Sequence, residues 1–569
     1  MGRSITGKTV KGTIMRKVLP LILIVALLAA VLMGCGRQME VPSNAPSTVT
    51  SVSDPEEGRD TTSYLRLVMN TPETLDPQKT GASNLLTMNV FDRLVELQEN
   101  ADGTSEIVPS IAKSWMISSD GKTYQFALND TVRFHDGQAL TATDIRYSYE
   151  RILTEPDCAG ASLLENIVGV KDLQEKNEKH LSGIEILSDY SLKITLTEAD
   201  GSFLAKLASP AASIVNRKSV KNAGKHFGEI PEETPGSGFF RFDGWDYSSK
   251  MVLSSFEGCW KGEPSCEGLV LLNVEDEEHC RDMFESGELD ILDLDRIYSQ
   301  QESFLNDEGM VETIVRAPRE EIHFIVLNES DEILKDQKVR KALQLGTDRQ
   351  KLMEELYDGE GTLLQGILPP GVIGYDSEME EIPYDREEAK KLLEEKDPEE
   401  LEIRICCPES ANDTEVKLYQ LLKEQWEELG FTVKIKKLSL KQFGKDRVEG
   451  TLPVFRGTYA GAINDPGEYL ELFFGSEEVS RAYSLCYSDR TTIARVNKAR
   501  TIVDAAERTE EYHALEKQIV QEDAAWIPLF SRNHLFAVNP AVRNFVPAWL
   551  GNDMTIYNKV TVNRERGTK

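Results

Sequence analysis

The chain has 569 residues, 96 acidic against 64 basic, and a formal charge of −32 at pH 7. That balance lacks the basic footprint phosphate binding needs, which excludes nucleic acid as a partner. At this length, 40% hydrophobic residues supports two or three packed cores.

At the N-terminus, Gly2 to Thr9 (GRSITGKT) fits the phosphate-loop pattern G-x-x-x-x-G-K-[ST]. A working loop needs a strand before its first glycine, and here only Met1 precedes Gly2. The same residues fit the N-myristoylation pattern, which shows how little so short a match carries. Their surroundings give another reading. Residues 1–34 hold Arg3, Lys8, Lys11, Arg16 and Lys17 and no acid, and Val18 to Met33 is an apolar run of 16. That is shorter than the ~20 residues that span a bilayer, so the segment predicts a secretory signal peptide. It ends at Leu32-Met33-Gly34-Cys35, which resembles the bacterial lipobox and implies a diacylglyceryl group on Cys35. Cleavage there leaves 535 residues with charge −37. Two acyl chains would hold so acidic a body at anionic headgroups. Residues 35–62, poor in large apolar side chains and rich in Ser, Thr, Pro and acid, read as a disordered tether.

From Tyr64 on, short strands alternate with amphipathic helices. YLRLVM puts Leu65, Leu67 and Met69 on one face, and KTYQFAL does the same for Tyr124, Phe126 and Leu128. Leu85, Met88, Phe91, Leu94 and Val95 form a helical stripe, and Thr141 with Asp144 makes a capping pair for a helix carrying Ile145, Tyr149 and Ile152. IRICC (403–407) reads as a buried strand. Val416, Tyr419, Leu422, Trp426 and Leu429 give a third stripe that stops at Gly430, after which FTVKIK alternates as a strand. The fold class is α/β.

Beyond Cys35 there are seven cysteines, an odd number that argues against a disulfide framework, although Cys259 and Cys266 could bridge. Seven dispersed histidines, no G-x-S-x-G and no H-E-x-x-H leave a secreted hydrolase as a remote alternative. Glu277, His279, Cys280 and Asp282 could bind a metal but read better as a solvated acidic segment. No cofactor, metal or catalytic residue is assigned. Asp76, Asp120, Asp136 and Asp465 sit in turn-forming dipeptides, and Trp115, Trp245 and Trp260 read as packing residues.

Several landmarks occur in order along the chain: Thr74-Leu75-Asp76-Pro77, VFDRLVE, the stretch from VPSIAKSWMISSDGKTYQF to YSYERIL, PGSGFFRFDGW, SGELDI, VRKALQLGTDRQKL, YDREEAKKLLEE, GAINDPGEYLELFF and AAWIPLF. Together they resemble the family-5 extracellular solute-binding proteins of ABC importers, from about Tyr64 to Pro547. The resemblance implies a two-lobed periplasmic-binding-protein-like (type II) fold with an extra domain, closing by a hinge over a solute. It divides the chain into lobe I (63–99, 188–272 and 530–569), an inserted domain II (100–187) and lobe III (273–529). It implies a monomer held outside the cytoplasm by its lipid, delivering peptides to permease subunits served by separate ATPase subunits. Cargoes of relatives also include nickel chelates, haem, oligosaccharides and signalling peptides.

By the same resemblance the ligand contacts are Arg456, Thr458, Tyr459, Ala460, Gly461, Ala462, Asn464 and Asp465, with Thr80, Gly81 and Ala82 as a second flanking strand. The arginine and the aromatic ring of the oligopeptide receptors are kept at Arg456 and Tyr459. The aspartate that pairs with the ligand's α-ammonium falls at Ala462 and is missing. If the cargo is a peptide, N-acetylation is therefore expected to change its affinity less than about tenfold.

Overall fold

The structure is a computed structural model. It describes residue 56 and residues 60–100 and 103–564. The signal peptide, GRSITGKT, Cys35 and most of the tether lie outside the described residues. Among those described, no helix is long and apolar enough to cross a membrane.

The strands and the helices that position the site are, in chain order, β1 (Leu65–Val68), α1 (Asn84–Val90), β2 (Val95–Glu99), β3 (Ser105–Pro109), β4 (Ala112–Ile117), β5 (Thr123–Leu128), α2 (Ala142–Thr154), β6 (Ile184–Ser188) and β7 (Ser191–Thr195). Next come β8 (Phe240–Trp245), β9 (Lys250–Ser255), β10 (Gly268–Leu272), β11 (Ile291–Asp293), β12 (Ile314–Pro318), β13 (Glu321–Leu327), α3 (Arg349–Tyr357), β14 (Gly361–Leu363), β15 (Glu402–Pro408), α4 (Asp413–Glu427), β16 (Thr432–Leu438), β17 (Val454–Ala460), α5 (Pro466–Phe474), α6 (Ala505–Glu516) and β18 (Trp526–Val538).

One mixed sheet runs β16-β15-β17-β13-β18-β11-β1-β10-β9-β8, with β12 and β14 also bonded to β18. Its middle is continuous because β18 is 13 residues long. The first part of β18 pairs with β13 and β14, the second with β12 and β11. Pro528 has no N–H to give the ladder. The register between β13 and β18 shifts between His323 and Phe324, and Phe324 is the residue opposite Pro528.

Three of the cores flank this sheet or its neighbour. One runs from Ile322 to Phe530 around Tyr419, Trp426 and Trp526. A second packs Leu65, Leu253 and Leu269 with Phe536. A third fills domain II under the four-stranded sheet β4-β5-β7-β6, from Leu94 to Ile214. The domain limits drawn from sequence cut across these units. The 187/188 boundary passes through the β6–β7 hairpin, whose β7 pairs with both β5 and β6. Residues 273–318 lie on the lobe I side, since β11 pairs with β1, and Cys280, Phe284 and Ile314 share a core with Leu535 and Ala537. Composition does not change where the chain passes from one sheet to another.

Local expectations are largely met. Tyr124, Phe126 and Leu128 are buried, and Thr141 and Asp144 form the capping box of α2. Gly430, at φ +103°, follows α4 and precedes β16. The stripe from Leu85 to Val95 is not one helix. α1 stops at Val90, Phe91 turns extended, and Val95 begins β2. An apolar spacing shared by a helix and a following strand cannot show the break between them. Asp76 is more than a turn residue, because its carboxylate is buried against Arg151. Cys259 and Cys266 are free buried thiols. His279 and Asp282 are exposed while Cys280 faces the core, and no group of three or more His, Cys, Asp or Glu among the described residues is placed to hold a metal.

Candidate functional site

β17 carries the candidate stretch and is bonded along its whole length on one side only. Residues 454–460 pair with β13, Ala460 opposite Glu321 and Thr458 opposite His323. On the other side only Val454 meets a strand, at Ile405 of β15. The Arg456 amide donates instead to the Tyr419 hydroxyl at 3.2 Å. Backbone groups alternate along a strand, so those of Thr458 and Ala460 face the same outer edge. Among the described residues that edge has no strand neighbour from Phe455 onward.

The turn and helix after β17 serve as scaffold. Asp465 caps α5 through the Gly467 amide at 2.8 Å and takes a bidentate pair from Arg508, at 2.6 and 2.8 Å, with 1% of its surface exposed. Asn464 spends its amide nitrogen on Glu320 and the Gly371 carbonyl and its oxygen on the Ile373 amide. Both were expected as ligand contacts. Buried polar groups must be satisfied, and here partners from the fold satisfy them. The segment Thr80–Ala82, expected as a flanking strand, is a turn. Thr80 donates its amide and hydroxyl to the Asp157 carbonyl, and a Cβ on Gly81 (φ +87°) would lie 2.6 Å from a Glu73 carboxylate oxygen. Its glycine answers to Glu73.

A cleft of about 550 Å³ opens beside Tyr459, between α5 and the domain II segment around Asp200. On the domain II wall two carboxylates are paired, Asp200 with Lys206 at 2.8 Å and Glu198 with Arg500 at 3.2 Å, while Glu165 lines the cleft beside them. On the α5 wall, burial raises the carboxyls of Glu468 and Glu471, the second to about 7. Glu468 Oε2 accepts from the Ala462 amide at 3.4 Å and from the Tyr459 hydroxyl at 3.3 Å, leaving Oε1 for another partner. A carboxylate therefore reaches the backbone of Ala462, the position at which the resemblance expects an aspartate. In the sequence Glu468 lies near Ala462 but does not occupy the matching position, so alignment along the chain sets it aside. The helical start at Asp465-Pro466 was the signal that residue 468 lies within one turn of that end.

The opposite face of the same strands is basic. Arg456 donates Nη2–H to His323 Nδ1 at 3.0 Å. Burial, with help from Arg456, pushes that imidazole down to about 4, so it accepts as a neutral ring. Arg532 of β18 lies over the Tyr357 ring at 4.5 Å. Burial opposes the Glu321 charge, yet His323, Arg319 and Arg532 together hold its carboxyl at about 2.

Residues 106–481 match the family model described as bacterial extracellular solute-binding proteins, family 5, middle. The chain is 26% identical over 483 residues to a probable D,D-dipeptide-binding periplasmic protein of Escherichia coli K12, covering 84% of this chain and 89% of that one. It is also 26% identical to heme-binding protein A of Haemophilus influenzae, covering 83% and 86%. Among solved structures, a periplasmic murein tripeptide-binding protein in an unliganded open form superposes with a TM-score of 0.79 at 21% identity, over 88% of this chain and 97% of that one. With the sheet, the inserted domain and the open strand edge in place, the chain belongs to the family-5 bacterial extracellular solute-binding proteins.

Proposed function

We propose that this chain is a peptide receptor, anchored outside the cytoplasm through Cys35, that hands its cargo to the permease of an ABC importer. The observation that carries the reading is the open edge of β17 with a carboxylate near one end and a guanidinium near the other. An extended peptide added there gains backbone hydrogen bonds whatever its side chains, which lets one site take many sequences. Arg456 and Ala462 are six residues apart, roughly 20 Å of strand, which suits a ligand of a few residues. Glu468 takes the α-ammonium and Arg456 a carboxylate. Thr458, Tyr459, Ala460 and Gly461 line the edge, while Asn464 and Asp465 hold the turn below it. Closure over the ligand gives the permease a shape that marks the loaded receptor.

A second reading keeps the receptor and changes the cargo, as the similarity to a haem-binding protein suggests. Mass spectrometry of whatever co-purifies, then calorimetry with synthetic peptides, separates the two. Intact peptides of narrow length support the first reading. Recovery of haem or a metal chelate, with no peptide of any length bound, refutes it.

A further inference from the structure

Basic side chains that reach into this fold usually meet an acid. Arg508 has Asp465, Arg151 has Asp76, Arg316 has Glu360 and Arg319 has Asp295. Arg456 and Arg532 are exceptions, as are Arg349, held by carbonyls, and Arg447, held by the Tyr483 ring, but these two stand on one face, on the strands either side of β13. Among the described residues no carboxylate oxygen lies within 4.0 Å of either guanidinium, in a chain of charge −32. Each is instead held by a neutral group, Arg456 by the imidazole of His323 and Arg532 by the ring of Tyr357. Those holders form one cluster, with His323 and Tyr357 centroids 6.0 Å apart and Phe530 5.1 and 5.4 Å from them. The acid on this face, Glu321, is engaged by Arg319 at 3.8 Å and faces His323 Nε2 at 3.4 Å. Arg532 also acts on Glu321, from beyond ion-pair distance, so a neutral holder orients each guanidinium without closing an ion pair on it. β17 and β18 flank β13, about 10 Å apart, so the two arginines approach from separate columns.

We infer that Arg456 and Arg532 form a clamp for two carboxylates, so that the preferred cargo ends in a paired acid, its α-carboxylate on Arg456 and its side-chain carboxylate on Arg532. The inference rests on the strand-addition reading for its peptide form, but the clamp itself asks only for two carboxylates a few bonds apart.

Calorimetry on the full chain in detergent, with Ala-Ala-Ala-Glu, Ala-Ala-Ala-Gln and haem, tests it. Wild-type protein should bind the Glu peptide roughly ten- to a hundredfold more tightly than the Gln peptide, the range of one charge-assisted contact. In Arg532→Gln that ratio should fall to within about twofold. Arg532→Lys should keep part of it, since a lysine retains the charge but loses the fork and the stacking. Thermal melting checks that both variants fold. Equal binding of the two peptides by wild type, or a ratio that survives Arg532→Gln, overturns the clamp and leaves the peptide receptor standing. Haem binding that needs Arg532, with no peptide bound, overturns the peptide receptor and supports the clamp through the two propionates. Failure to bind any of the three overturns both.

Discussion

Replacing Glu468 by glutamine keeps a side chain of the same size and an oxygen for the Ala462 amide and the Tyr459 hydroxyl, and removes one charge. A carboxylate–ammonium hydrogen bond contributes roughly 1.5–3 kcal/mol, about ten- to a hundredfold in affinity. Oε2 is already shared between two donors, so a ligand amine finds Oε1 alone, and the lower end, roughly tenfold, is expected. The assay is calorimetry of one bound peptide in free and N-acetylated forms, on wild type and on Glu468→Gln, read as a double-mutant cycle. Acetylation should cost wild type about tenfold or more and the variant almost nothing. That departs from the expectation drawn from Ala462 alone. Burial raises the Glu468 carboxyl, and the ammonium contact needs it ionised. Affinity for the free-amine peptide should therefore rise with pH through that carboxyl's own range, while the acetylated peptide stays flat. An acetylation cost below about twofold in wild type, or an equal cost in both proteins, refutes the assignment.

Other predictions concern the frame. Burial, with Glu99 nearby, raises Glu320 from 4.5 to about 8 in the folded chain, so folding takes up a proton. Stability should fall as pH rises from about 4.5 to 8, by at most roughly 5 kcal/mol from this group, and urea melts of Glu320→Gln should show a flatter profile. Arg508→Met strands a buried Asp465 and should cost about 3–5 kcal/mol, much of it recovered when Asp465→Asn is added; an additive loss in the pair would count against this account. Cys35→Ala should leave an unprocessed precursor or release the protein from membranes, and normal maturation with unchanged fractionation would remove the lipid reading.

The four strands and two of the three helical stripes named from sequence were legible because their apolar periods are regular, as in KTYQFAL, IRICC and the stripe ending at Leu429. Where one spacing serves two elements in succession, as from Leu85 to Val95, periodicity alone cannot place the join. The candidate site was half legible. Chain order led to β17, whose edge is open, but Asn464 and Asp465 looked available because nothing in a sequence reports that Gly371 and Arg508 come back to occupy them. Arg532 lies 76 positions beyond Arg456, and only the β17-β13-β18 strand order puts both on one face.

That strand order also sets the time at which the protein can exist. β18 is an interior strand of the long sheet, yet it is drawn from residues 526–538 of 569. Until it arrives, β13 and β11 each lack a neighbour, and two of the cores lack Trp526, Phe530 and Phe536. A chain still emerging from the ribosome therefore has neither half of its main sheet closed, and pairings over so many residues form slowly. Under the extracytoplasmic role proposed above, this delay would leave the main sheet open until the last tenth of the chain has been made.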